Sequence, residues 1–268
     1  MTSVQELYGE LWASENPLDL ELQDSLEPRG TEWLFSAFAA LGPQGEQFVV
    51  DVGARDAGHT IRLVREHGLR AIALDPIQHH VDLARRAVAE AGLADQVDVV
   101  RAGIEAMPIP DAVADWIWCR DVLVHVDLAQ GFAECARILR PGGRMLAYVT
   151  CATDSLEPCE RRELFTGLAI NPESVEPSTI ENRATAAGLT LVSNTRLAGE
   201  WRERMIEDGS WDPGSDLLHL SRLHRREESL LERHGPARVA AYAAGKRWGV
   251  YQLLGKLCPT IYVWRRDA

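Results

Sequence analysis

Two carboxylates stand at the ends of two apolar runs: Asp51 follows Phe48-Val-Val50, and Asp75 follows Ala71-Ile-Ala-Leu74. Between them Gly53 opens a turn of mostly small residues, after which Ile61 and Val64 begin a helical spacing. Strand, glycine turn and helix make the opening unit of a nucleotide-binding α/β domain. A carboxylate at the tip of the second strand can accept both hydroxyls of a ribose. The pair therefore points to an adenosine-containing ligand. Farther on, Asp121 and His125 follow a third apolar run. An unperturbed imidazole, with a pKa of about 6.5, suits a general base near neutral pH. The same histidine could instead cap or pack the following helix. Asp121 could orient it, bind an amine or cap a helix. His59 adjoins the glycine turn, whereas His79 and His80 open a helix and are expected on the surface. No His, Cys, Asp or Glu cluster has metal-ligand spacing, so no metal is expected.

The elements that must position these groups alternate. Strands are expected at 47–52, 69–74, 97–101, 115–120 and 144–150, with helices near 58–67, 78–92 and 128–139. Such alternation implies a parallel sheet covered on both faces. Before it, 4–14 and 31–41 read as helices, the second capped by Thr31. Arg140-Pro-Gly-Gly143 is a turn that stops a helix ahead of the fifth strand. Residues 153–178 carry Pro158, Pro172 and Pro177 and read as a loop or small excursion. Ser178 is expected to cap a helix to Ala187, followed by a sixth strand to Thr195. An insertion over 199–256 carries two helical stretches, 215–234 and 236–254, before a last strand over 260–264.

Composition sets outer bounds. The chain has 268 residues, 46% of them hydrophobic, and a formal net charge of −12. That is one large domain, 1–268, with an N-terminal helical segment over 1–46 and a helical lid over 199–256. The negative charge disfavours nucleic acid as a partner. Arg225 and Arg226 beside Glu227 and Glu228 read as a solvated helix face. Five scattered cysteines without a C-x-x-C pair fit a reducing cytoplasm. No apolar run is long enough to cross a membrane, and no secretory signal opens the chain.

The order of these signals resembles the class I S-adenosylmethionine-dependent methyltransferases, chiefly over residues 30–150. That family's first motif, D-x-G-x-G-x-G, stands here as Asp51-Val-Gly53-Ala-Arg55-Asp-Ala57. The acid and first glycine match; Arg55 and Ala57 replace the other two. Arg55 must point away or reach the methionine carboxylate, and Ala57-Gly58 would restore a small surface with a shifted turn. Asp75-Pro76 matches the ribose acceptor. Ala102-Gly-Ile-Glu-Ala-Met-Pro108 is similar to the segment beside the adenine, and Cys119-Arg120-Asp121 to the fourth strand end. The resemblance implies a Rossmann-like seven-stranded sheet with helices on both faces and a helical lid between strands six and seven. It implies S-adenosyl-L-methionine as cofactor. Its binding residues would be Asp51, Gly53, Ala54, Arg55, Asp75, Pro76, Gly103, Ile104, Glu105 and Arg120, with His125 and Asp121 catalytic.

Methyl transfer is an in-line displacement in which the protein aligns the acceptor and, where needed, removes a proton. A small organic acceptor methylated at oxygen or nitrogen, as in specialised metabolism, is the expected substrate. The insertion, with Trp201, Trp211, His219, Trp248 and Tyr251, either covers the cleft or forms a small helical core or a dimer contact. An RNA or protein methyltransferase would need a basic or peptide-sized groove. A binding or scaffold protein without turnover would explain the lost glycines. A dehydrogenase fits less well, because the turn lacks G-x-G-x-x-G.

Overall fold

A computed structural model of the chain describes residues 3–4, 8–9, 17–23 and 27–267. The expected helix over 4–14 lies for the most part outside them. Strand β1, Phe48–Val52, runs down the middle of the sheet. Its side chains alternate as a strand requires: Val49 enters one hydrophobic core and Val50 and Val52 the other. Asp51 is thereby carried on the face of Val49. Strands β2 (Arg70–Leu74), β3 (Val97–Val100), β4 (Ala114–Arg120), β5 (Leu139–Ala152), β6 (Leu189–Arg196) and β7 (Leu257–Arg266) complete the order β3-β2-β1-β4-β5-β7-β6. The pairings from β3 to β5 are parallel, and β7 is antiparallel to both β5 and β6. The chain reverses its winding between β1 and β4, which opens a crevice at their carboxyl ends.

Helices cover both faces. After a short α1 (Pro17–Glu21), α2 (Thr31–Ala40), α3 (Gly58–His67) and α4 (Gln78–Glu90) bury Phe35, Phe38, Leu63, Val64 and Val88 against Trp116 and Trp118 of β4. On the other face α5 (Leu128–Ile138), α6 (Pro158–Leu168) and α7 (Pro177–Ala186) bury Phe132, Leu164 and Ile180 against Ile117 and Cys119. The expected α/β sheet is thus the observed one. The two strand-four faces follow directly from the alternation Trp-Ile-Trp-Cys.

Several local expectations are corrected. Residues 153–178 form a small helical excursion rather than a loop. Pro158 occupies the first turn of α6, where its missing N–H is harmless, and Glu157 and Glu160 form a reciprocal capping box. A 3₁₀ turn follows at Pro172–Val175. Helix α7 is capped from Glu176 rather than Ser178, and α2 from Gly30 rather than Thr31. Strand β5 begins at Leu139, and the turn over 140–143 stands out as a bulge, since Ala114 pairs with Leu139 and Trp116 with Arg144. Strand β7 extends beyond 260–264 at both ends. The insertion holds four helices: α8 (Glu200–Glu207), α9 (Pro213–Arg225), α10 (Glu227–His234) and α11 (Pro236–Leu253). The break that divides 215–234 falls at Arg226, whose φ and ψ of −124° and 16° leave the helical region.

Candidate active site

The carboxyl ends of β1 and β4 and the turn into α3 enclose a cleft of about 260 Å³. Asp51, Gly53, Ala54, Arg55, Arg120 and Asp121 line it, joined by Asp56 and His59. Of the other residues singled out from sequence, Asp75 adjoins it through Arg55. Pro76, Gly103, Ile104, Glu105 and His125 do not line this cleft. Ile104 is 2% exposed, its side chain in the core against Gly131 of α5.

The glycine turn is unshifted. Gly53, Arg55 and Ala57 all have positive φ, at 74°, 52° and 60°. The chain keeps the left-handed backbone that the motif's three glycines would adopt while bearing two side chains, at a strain of roughly 1–3 kcal/mol each. Gly53 and Ala54 both donate their N–H to Leu74 O, at 2.7 and 3.0 Å. That fixes the turn to the end of β2. A methyl at Gly53 would lie 2.2 Å from Val122 Cγ2, so only glycine fits.

Asp75 is already engaged. Its Oδ2 accepts the Arg55 N–H at 3.0 Å, and its Oδ1 accepts the Ile77 N–H at 2.9 Å. His80 Nδ1 lies 3.1 Å from the same Oδ1. His80, expected on the surface, is instead half-buried over the carboxylate. The signal was its position one turn into α4, facing back toward the tip of β2.

Asp51 is 2% exposed and accepts the Thr60 hydroxyl at 2.6 Å. Burial raises its pKa to about 7, with the Thr60 bonds opposing and the charges of Asp75 and Asp56 adding to the rise. Asp121, at φ 57°, has one oxygen, Oδ1, sealed and unpartnered while the rest of the side chain opens to the cleft. Burial raises its pKa to about 6, against the pull of Arg120 and Arg202. Between them Trp118 Nε1 donates to His59 Nδ1 at 3.3 Å, and Arg120 Nη1 lies 3.0 Å from His59 Nε2. Both neighbours are donors only, and a neutral imidazole has one acceptor nitrogen. Protonation would remove even that acceptor, and burial and the Arg120 charge lower the His59 pKa to about 4. Arg120 Nε is buried without a hydrogen-bond partner and stands 3.8 Å from Asp121 Oδ2. The cleft thus holds an unsatisfied guanidinium beside two carboxyls that resist ionisation.

Behind that lining pack residues of the insertion and of the N-terminal segment. Trp201 of α8 is buried with its ring 4.7 Å from that of Tyr148 on β5, and Arg120 sits over both. Phe35 of α2 stacks on Trp118 at 4.9 Å. Arg29 joins Glu200 at 2.5 Å. Arg202 donates to Gln252, which donates to Thr150. Trp211 and Lys246 share Asp216 and knit the lid's own core. Trp201 thus ties the insertion to Arg120 of the cleft lining, and Trp211 belongs to a small core of the insertion's own. His125 ends a 3₁₀ turn, Leu123–His125, exposed, with Nδ1 3.2 Å from Ala169 O rather than against Asp121.

A methyltransferase domain family matches residues 50–147. The chain is 34% identical over 152 residues to a dimethylglycine N-methyltransferase of Parasynechococcus marenigrum, covering 56% of this chain and 53% of that protein. It is 30% identical over 198 residues to an S-adenosyl-L-methionine-dependent Diels-Alderase of Talaromyces variabilis, covering 73% and 60%. A crystal structure of a putative sarcosine dimethylglycine methyltransferase from Galdieria sulphuraria superposes with a TM-score of 0.67 at 22% identity, covering 88% of this chain and 84% of that one. The chain spans about half the length of the first of these relatives. Residues 50–147 thus match a methyltransferase domain, set in a sheet with the fold of the class I S-adenosylmethionine-dependent methyltransferases. The family's cofactor carries an ammonium, a sulfonium and a carboxylate. The orphaned Asp121 Oδ1 and Arg120 Nε are the groups that such a ligand would satisfy, so the residues present fit it.

Proposed function

We propose that the protein transfers a methyl group from S-adenosylmethionine to the nitrogen or oxygen of a small organic acceptor, as in specialised metabolism. When bound, the cofactor supplies a methyl activated on a sulfonium. Asp75 would accept the ribose hydroxyls once the His80 ring swings away. The left-handed turn from Gly53 to Ala57 would bring backbone close to the ligand's amino-acid end, and Arg120 would meet its carboxylate. Asp51 and Asp121 would balance its positive charges and ionise as they do so. His125, whose Nδ1–H can donate to Ala169 O, keeps Nε2 free to take a proton from the acceptor. The five free cysteines support a reducing compartment such as the cytoplasm.

The observation that carries this reading is the convergence, at the tips of β1 and β4, of two ionisation-resistant carboxyls and a guanidinium whose Nε lacks a hydrogen-bond partner among the described residues. The net charge of −12 supports a small acceptor over nucleic acid, and the relative named for dimethylglycine favours nitrogen. A second reading, cofactor-assisted catalysis without methyl transfer, is favoured by the relative named as a Diels-Alderase and by the absence of His125 from the cleft lining. Incubation with methyl-labelled cofactor and a panel of small amines, amino acids and phenols separates them. Labelled product with matching S-adenosylhomocysteine supports methyl transfer. Cofactor binding without label transfer to any class would sink it.

A further inference from the structure

A second concavity lies in the insertion, formed by α9, α10 and α11 and sharing no residue with the strand-tip cleft. It encloses about 430 Å³. That falls within the range of ordinary small-molecule sites, roughly 300–1,000 Å³. Its floor is apolar: Leu223 and Leu230 are half-buried and Val239 is buried. Around the rim stand Arg222, Arg226 and Arg238, all exposed. None of the three guanidiniums has a hydrogen bond or ion pair among the described residues. No carboxylate lines the groove. Asp216 on α9 is taken by Lys246 and Trp211, while Glu227 and Glu228, next to Arg226, line an adjoining concavity rather than this groove.

Elsewhere in this chain of net charge −12 some arginines do meet carboxylates, as in Arg29–Glu200, Arg62–Glu32 and Arg137–Glu134. Three like charges around one opening repel one another, and the repulsion is relieved when an anion enters. Guanidinium forks match carboxylate and phosphate oxygens in geometry as well as charge. His234 and the Tyr242 hydroxyl, which is 2.9 Å from His219 Nδ1, add polar groups at the same rim. A purely ionic ligand would leave the apolar floor wet, and a purely apolar one would leave the guanidiniums unpaired. Both are met by one molecule with an anionic head and a hydrocarbon body.

We propose that this groove is a second binding site, for a free small amphiphile: a medium-length alkyl chain ending in a carboxylate or phosphate. The head lies among Arg222, Arg226 and Arg238, and the chain lies along Leu223, Leu230 and Val239. The proposal does not depend on methyl transfer, and its test reads binding alone.

Decanoate, kept below its micelle concentration, is titrated into the full chain by calorimetry, with decanol, decyltrimethylammonium and inorganic phosphate as comparisons. One decanoate per chain is expected, tightening about threefold per added methylene along an octanoate-to-dodecanoate series. R222Q/R226Q/R238Q alters only exposed, unpartnered side chains and should keep its thermal transition. It is expected to weaken decanoate about tenfold or more. Equal affinity for decanol or for inorganic phosphate would overturn the proposal. So would decanoate affinity unchanged in the triple variant. Binding only to anionic phosphatidylglycerol vesicles, with none to monomeric decanoate, would overturn it in favour of a membrane surface. A dimer that dissociates on the same substitutions without decanoate binding would assign the groove to a second copy of the chain.

Discussion

Replacing Asp51 by Asn isolates the charge at the tip of β1. Asp51 is 2% exposed, and its pKa rises from 3.8 to about 7 in the folded chain. A carboxyl whose folded pKa is raised binds its proton more tightly folded than unfolded. Its favourable contribution is complete below pH 3.8 and is lost as pH climbs through about 7. Above that, ionised Asp51 in the ligand-free chain costs up to roughly 4 kcal/mol, a figure set by the two pKa values. Asn keeps the shape and an acceptor for the Thr60 hydroxyl but has no charge to bury. Urea denaturation of both proteins from pH 5 to pH 8.5 measures the difference. D51N is expected to be more stable at pH 8 by roughly 2–4 kcal/mol, and the advantage should shrink steadily toward pH 5. The same substitution should weaken the cationic cofactor more than uncharged adenosine. A gain that does not change with pH, or a D51N protein less stable at pH 8, would refute the reasoning.

Four further outcomes follow from the same geometry. Asp75→Asn should weaken S-adenosylhomocysteine by about 10²-fold in calorimetry, through lost charge-assisted bonds to the ribose; affinity within a factor of about two would reject that placement. His80→Ala leaves Asp75 Oδ1 with the Ile77 N–H alone and should tighten the same ligand about threefold; a weaker complex would make His80 a ligand contact instead. Gly53→Ala puts a methyl 2.2 Å from Val122 at φ 74° and should cost about 2–4 kcal/mol in urea melts; a wild-type midpoint would show that the turn gives way. His125→Ala should lower kcat by about 10²-fold while S-adenosylhomocysteine affinity holds; unchanged turnover across pH 6–9 would remove it as the base.

The sheet was legible because the residues that build it repeat the same physical pattern. Val49, Asp51, Trp116 and Trp118 share one face by strand alternation, and Gly53 marks the turn as only glycine can. Asp75 was legible from its place after a short apolar run. The left-handed angles at Arg55 and Ala57 were not, since neither residue type signals positive φ and neighbouring contacts impose it. Helix α6 was hidden because Pro158 reads as a breaker until its position after a capping glutamate is known. The split of the lid at Arg226 has no glycine or proline to announce it. The His59–Trp118–Arg120 cluster joins α3 to β4 across 59 and 61 residues, and no local spacing brings such groups together. Thr60, the partner of Asp51, was missed for the same reason: it is one turn into a helix that sequence shows only as amphipathic.

The most direct test of the central claim is a crystal structure of the chain soaked with S-adenosylhomocysteine. Density is expected at the tips of β1, β2 and β4, with the ribose hydroxyls on the Asp75 carboxylate, the His80 ring displaced, and the carboxylate end at Arg120. Density at another face of the sheet, or a cleft still closed by His80 at saturating ligand, would contradict it.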